Sequence, residues 1–527
     1  MKKTIIFIVA VFQIAVIHSQ DIEKALNSRW LALGNGSAAV NTTLNVQNWS
    51  ECSFDYMISA NYAPEFWGIS IPLSFSFANR DFNFSHPFNQ FLFAPSYKGY
   101  TLKIGVSALS WSPFTLSGHP FLGIAFEANP KNSRWSGGVM FGKMRIVNLV
   151  SDTNKVMRLG YGGNIAYKGK NYKIGFSMFK AHDLRKDNVL QAKDNFAFCL
   201  NGEYKFLKDG FVNVEWANSS ITTDIDAEKQ SRKFTFPDFS RFLVKQNLST
   251  ASANAYKATA GYKFASLSFE LVEPEYQSLG TTYANNNYYN LTLNLAHTFK
   301  KLSLSGRFGM EERNFLGKNA SHNRQFVVMT NVQYRPAENI NVAAMYSNFQ
   351  SYSYLRNLIS ESEIIDPYHF TDTLAYSCVT QMAELNFNYR ITKAKKYNQN
   401  IGITASMNQT GKNNYFLSGW LSYSFSKVKS FTTGLVLQTN YQTETSVWAA
   451  SVSAFFGNKF YKDKISWRVS LVQNNYWQEK EYNRSTLVLR GNMNFKINKH
   501  HQLQAQTSFL IGQKSNFMFN LGYNFML

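Results

Sequence analysis

Charged side chains at alternate positions are the feature of this sequence most able to do chemistry. In Tyr100-Leu102-Ile104-Val106 the intervening residues are Thr101, Lys103, Gly105 and Ser107. An extended backbone sends these two sets to opposite faces. The same parity separates Lys103, Arg158, Lys173, Lys205, Arg307, Arg390, Arg468, Arg490 and Lys496 from their apolar neighbours, together with Glu127, Glu203, Glu215, Glu270 and Glu384. More bases than acids on one face gives that face a positive bias. Most of these groups are expected to pair with each other across adjacent strands as structural ladders. The excess of bases would then carry any function.

Other reactive residue types are dispersed. Of the nine histidines, His500 and His501 share a turn signal, and no pair has a metal-binding spacing such as H-E-x-x-H. Cys52, Cys199 and Cys378 are far apart and form no C-x-x-C pair. No metal, cofactor or disulfide is therefore expected. No facing serine and histidine can be picked out, so an enzyme is not expected either. The matches to Asn-x-Ser/Thr at Asn35, Asn41 and Asn48 are read as chance in an asparagine-rich chain. Ser112-Pro113-Phe114-Thr115-Leu116-Ser117-Gly118-His119-Pro120 interrupts a strand-rich region. It reads either as an ordinary surface loop, the plainer choice, or as a loop folded inward to constrict a pore.

Strands must position all of these groups. Trp67-Gly68-Ile69-Ser70-Ile71-Pro72-Leu73-Ser74-Phe75-Ser76-Phe77 is large and apolar at each odd position and small or polar at nearly every even one. Tilted by about 45°, a strand of that length spans roughly 25 Å, the height of the apolar band of a membrane β-barrel. The pattern recurs in about 24 or 25 segments of roughly 9–12 residues. Turn signals such as Lys168-Gly169-Lys170-Asn171 and Lys208-Asp209-Gly210 join some of them into hairpins. The chain is 16% aromatic but only 17% charged. That balance suits strands with one face in lipid and the other in water. After the N-terminal segment no apolar run is long enough for a transmembrane helix.

Lys2 and Lys3, the apolar run Ile5 to Val16, and the small residue Ser19 have the form of a signal peptide over residues 1–19. Residues 20–52 read as a leader, periplasmic or lumenal, which adds at most one strand at Ala38 to Val46. Residues 53–527 read as one barrel. Short turns at 130–133, 168–171, 207–210, 299–301, 335–339, 426–430 and 498–501 alternate with longer connections at 182–194, 221–252, 275–287, 311–323, 351–379 and 475–484. Short periplasmic turns and long outer loops make this an all-β, antiparallel transmembrane barrel of about 24 strands, range 22–26. Residues 79–95 fit poorly: they would be an overlong periplasmic connection or a plug folded into the lumen. The aromatic final strand, Phe517 to Phe525, resembles the signal read by barrel-insertion machinery, with Leu527 in place of the usual terminal aromatic.

Two stretches carry a family resemblance: PFNQFLFAPSYKGYTLKIGVSALSWSPFTLSGHPFLGIAFEANP at 87–130 and EPEYQSLGTTYANNNYYNLT at 273–292. Both resemble large outer-membrane barrels of the Bacteroidetes type. The resemblance implies fold and location in a Gram-negative outer membrane, and no reaction or ligand. The formal charge of +21 suits anionic headgroups or an anionic solute. A porin-like passive channel with weak anion preference is the leading expectation. The alternatives are a non-transporting surface-binding or envelope-complex barrel, and a transporter of hydrophobic substrates with a lumenal plug. The partners expected are outer-membrane lipid and lipopolysaccharide, the insertion machinery and envelope proteins, and no nucleic acid.

Alternation assigns Ile71 to lipid and Ser70 to the lumen. Ile71→Arg is expected to lower barrel stability in membranes by about 2–4 kcal/mol near the midplane, and Ser70→Arg far less. Equal loss of folded barrel in liposomes from both changes would place this strand between two buried layers.

Overall fold

The computed structural model describes residues 31–526 apart from 48–50, 67, 79–89, 145–156, 185–191, 230–238, 282–285, 314–322, 351–378, 394–396, 411–413, 428–430, 462–463, 479–480 and 513–514. The signal peptide read at 1–19 and nearly all of the loop read at 351–379 lie outside the described residues.

The described strands form a closed, antiparallel barrel with 26 strands in its wall, at the upper end of the expected range. Closure is made by Leu31–Gln47, which pairs on one side with Glu51–Phe66 and on the other with Asn516–Met526. Val40, for example, lies between Ile58 and Tyr523. Among the described residues the wall therefore already includes Leu31–Gln47, and the leader boundary read at 52/53 falls inside the wall strand Glu51–Phe66. The polar run Asn41-Thr42-Thr43 disguised that strand, because its inward face looks into an amide-rich lumen instead of a core.

Prolines split two further wall strands and hid the second of them. The stretch read as one strand, Trp67 to Phe77, is recorded as Ile69–Ser70 and Leu73–Ala78, with Pro72 between them. Proline has no N–H to give the ladder. The chain nevertheless stays in the wall: Ile71 N donates to Pro64 O at 2.8 Å, and Ala94 N donates to Pro72 O at 2.9 Å. The next wall strand is likewise split, into Gln90–Phe93 and Ser96–Tyr97 around Pro95. Residues 90–95 are thus wall and not plug, while 79–89 lie outside the described residues. Counting this strand places Ala78 and Gln90 at the end of the long loops and restores the alternation of turns.

Another correction concerns 475–484. Its polar sequence read as a loop, yet Ile465–Gln478 and Glu481–Lys496 extend through most of it. Cross-strand stacking of Trp448 on Trp477 (4.9 Å) and an amide contact from Gln473 Nε2 to Asn475 Oδ1 (3.2 Å) support the strands there.

The segment between Gly210–Thr222 and Thr250–Tyr262 does not extend freely outward, as a long outer loop would. Its described part includes the 3-10 helix Phe239–Leu243 and lies against the outer face of the wall. Val244 packs with Phe196 and Phe198, and Trp216 joins the cluster. Beneath it Lys180 Nζ is 2.7 Å from Asp194 Oδ1, and Asp194 Oδ2 accepts Lys245 N at 2.9 Å. Ser240 N donates to Asn218 Oδ1 at 3.1 Å. Outward-pointing polar groups would be costly against lipid; here a second protein layer satisfies them.

In a cysteine-free background, Asp226→Cys in this segment is expected to react with an impermeant maleimide on intact cells. Lys170→Cys, in a short turn, is expected to react only after the outer membrane is opened. Labelling of Lys170→Cys from outside would invert the barrel.

Candidate functional site: the lumen

Residues paired directly across an antiparallel ladder share a face. Following partners around the wall, Asn201 faces Glu215, Glu215 faces Lys257, and Lys257 faces Glu270. All lie on the face opposite the exposed set Leu200, Val214 and Phe269. The same register carries Lys103, Arg158, Lys173, Lys205, Arg307, Arg390, Arg468, Arg490 and Lys496 inward, along with Glu127, Glu203, Glu384 and the two acids just named.

One side of the lumen carries an inner layer. Trp111 to Gly118 turns back into the barrel after Tyr100–Ser110 and leads into Leu116–Ala128. Gly118, at φ +64, supplies the left-handed conformation this reversal needs. Gly280–Thr281 pairs with Leu116 to Gly118 in parallel, and so draws in the connection after Ala265–Val272. Phe114 is 5% exposed, Tyr276 2% and Leu116 0%. Tyr276 donates its phenol to Phe114 O at 2.7 Å, and Ser278 Oγ donates to Thr115 O at 2.5 Å. Burial pushes the Tyr276 phenol well above its ordinary pKa, so it remains a donor.

The wall leaves room for this layer. Cys199, Ala217, Ala253 and Ala255 point inward, and Phe114 and Tyr276 fill the space above them. A second cluster joins Leu116, Phe121, Met144, Phe179 and Leu279. Asn195 satisfies main-chain groups of the layer on both counts. Its Nδ2 donates to Gln277 O at 3.0 Å, and its Oδ1 accepts Leu279 N at 2.9 Å. The inward reading of residues 112–120 is therefore the one the structure adopts, and part of the outer loop read at 275–287 also lies inside. The signal for an inner layer was present: alanines occupy inward positions where a solvated lumen would carry polar groups.

Charge divides the lumen in the same way. Lys103 pairs with Glu127 at 2.5 Å, Lys205 with Glu203 at 3.1 Å, and Lys257 with Glu270 at 3.1 Å. Arg158 grips Asp183 with two bonds, 2.7 and 3.1 Å. Glu311 and Arg313 form another pair. Glu215 accepts Ser112 Oγ at 3.2 Å, tying the inner layer to the wall. Among the described residues, Lys173, Arg307, Arg390, Arg468, Arg490 and Lys496 form no ion pair, and neither does Glu384. The expectation that most candidates would pair fails: only Lys103, Arg158 and Lys205 of the bases do. The reason is sequence distribution, since past Arg313 the inward positions are mostly amides, hydroxyls and glycines. Lys257, Asp183, Glu311 and Arg313 were not singled out from sequence, although the parity rule that found the others applies to them equally.

Opposite the inner layer the lumen is open. A cavity of about 880 Å³ lies at the end of the short turns. Its inward side chains include Asn41, Asn492, Gln506 and Asn520, with Arg468 among them, and among the described residues no carboxylate lines it. Arg468 lies over the Phe455 ring, its guanidinium carbon 4.6 Å from the ring centre.

A closed antiparallel barrel with an apolar outer face and a polar lumen is the fold of outer-membrane proteins of Gram-negative bacteria. No family model matches the chain, and no curated protein matches it. Among solved structures it is similar to the E. coli P pilus tip assembly intermediate PapC-PapD-PapK-PapG, at 11% identity and TM-score 0.50, over 95% of this chain and 62% of that one. The P pilus usher (PapC) translocation pore matches at 10% identity and TM-score 0.47, over 94% of this chain and 99% of that one. The FrpB iron transporter from Neisseria meningitidis matches at 10% identity and TM-score 0.39, over 94% and 82%. Identities this low bear on the fold alone.

The inner layer predicts a stability contrast. Phe114→Ala is expected to cost about 3–5 kcal/mol locally, and Tyr276→Phe about 1–3 kcal/mol through the orphaned carbonyl. Phe242→Ala, at a side chain 61% exposed on the outer segment, should change little in aqueous detergent. Urea unfolding of the refolded barrel measures all three; equal effects would place Phe114 in solvent.

Proposed function

We propose that this chain is a passive outer-membrane channel for polar solutes, with a weak preference for anions. One observation carries the reading: among the described residues, the open half of the lumen is lined by amides and by bases without ion-pair partners, around a cavity of about 880 Å³ without carboxylates. At about 0.1 M salt, charges act over roughly 10 Å, so unpaired guanidinium groups on the wall reach a permeating ion. The inner layer narrows the opposite half as a fixed constriction, hydrogen-bonded to the wall, instead of a displaceable plug. The proposed role involves no catalysis and no cofactor.

Export through the 1–19 segment belongs to the same proposal, as does kinship with Bacteroidetes-type barrels through 87–130 and 273–292. So do the proposed surroundings: outer-membrane lipid, lipopolysaccharide and the insertion machinery. The second reading is a barrel that binds at the cell surface or within an envelope complex and transports nothing. The layered surfaces around Phe114 and Phe239 support it, since both fix the long-loop end in one arrangement.

Planar-bilayer recording separates the two. The purified barrel is expected to conduct and to favour anions mildly. Changing Arg307, Arg468 and Arg490 together to Glu should move the reversal potential toward cations, more at low salt than at high. A folded barrel without conductance would favour the second reading. Conductance indifferent to the triple change would remove these arginines from the ion path.

A further inference from the structure

The cavity beside Arg468 is more specific than a channel wall requires. Carboxamides are the most numerous of its inward side chains, among them Asn41, Asn492, Gln506 and Asn520. Each carboxamide offers donors and an acceptor from one side chain. A sugar hydroxyl also donates and accepts, so rows of amides suit a polyhydroxylated solute better than a bare ion, which needs donors alone.

Arg468 adds a directed, planar cation. Its cross-strand partner is Gly457. A Cβ at Gly457 would lie 2.8 Å from Trp467 O and 3.4 Å from the Arg468 Cβ. The missing side chain thus leaves the space beside Arg468 clear. Phe455, two residues away on the same face, lies under the guanidinium. A stacked guanidinium keeps its in-plane N–H groups free, and these match a carboxylate or phosphate with two parallel bonds. Among the described residues no acid pairs with Arg468, Lys427 or Lys459, all of which line the cavity. Contrast Arg158, whose fork is already filled by Asp183.

We propose that this cavity is a binding site for a sugar bearing an anionic group, carboxylate or phosphate. Arg468 holds the anionic group, and the surrounding amides take the hydroxyls. The site rests on the lumen being open to solutes, as the channel reading holds. It deepens that reading by naming a substrate class.

The test is saturation-transfer NMR on the detergent-solubilised full barrel, which needs no conduction. The probes are D-glucuronate, D-glucose 6-phosphate, D-glucose and acetate. Glucuronate or glucose 6-phosphate is expected to bind at least about tenfold more tightly than either glucose or acetate, and the tighter of the two names the anionic group. Arg468→Gln should abolish that advantage while leaving glucose within about twofold. Asn492→Ala with Asn520→Ala should weaken glucose and glucuronate alike. Acetate binding as tightly as glucuronate would overturn the site, reducing it to a simple anion attractor, and an advantage that survives Arg468→Gln would overturn it as well. A barrel that binds glucuronate through Arg468 but does not conduct would sink the channel reading and leave the site standing. A barrel that conducts without distinguishing the probes would do the reverse.

Discussion

Backbone hydrogen bonding without water is the constraint on which the rest of this structure depends. In the hydrocarbon core each unpaired N–H or C=O costs several kcal/mol, so a sheet at that depth must close on itself. Closure here joins Leu31–Gln47 to Asn516–Met526, strands from opposite ends of the chain. Once the wall is closed, parity does the rest. Apolar side chains such as Ile104, Ile174 and Leu489 must face out, and Lys103, Lys173 and Arg490 must face in. The proline-split strands around Pro72 and Pro95 show how strong the constraint is, because the backbone stays in the wall where the ladder itself is interrupted.

A wall of this size encloses more space than its own inward side chains fill. On one side the chain fills it with its own loops, and the fit depends on small inward residues at Ala217, Ala253 and Ala255. On the other side the inward residues are polar and the space stays open. The two halves differ in charge for a related reason. Beside the inner layer one deeply placed base, Arg158, is held by a buried carboxylate, Asp183. Where water remains, unpaired bases such as Arg468 are tolerated, because solvent screens them.

Much of the architecture was legible in the sequence. Alternation in segments such as Phe517 to Phe525 is a direct consequence of period-two geometry, and it yielded the fold class, the strand number to within two, and the inward direction of the charged residues. Three things were not legible. Leu31–Gln47 was undervalued because its inward face is polar, as a lumen-facing strand must be. The strand split at Pro72 was read through its alternation, but the one split at Pro95 was lost, because proline is a breaker locally even when closure overrides it. The inner layer shows in the sequence only as inward alanines such as Ala217, Ala253 and Ala255; its contact between Phe114 and Tyr276 joins residues 162 apart, and no local pattern reports such a pairing. The amide wall carries no charge signal either, because Asn492 and Asn520 define the open half by being neutral.

The central claim is that the lumen is sealed on one side and open on the other, and accessibility from within the pore tests it most directly. In a cysteine-free background, Asn492→Cys and Ala255→Cys place one thiol in each half. A small water-soluble methanethiosulfonate reagent is expected to modify the barrel with Asn492→Cys rapidly and to leave that with Ala255→Cys protected until denaturant is added. Equal modification of both in the folded barrel would contradict it.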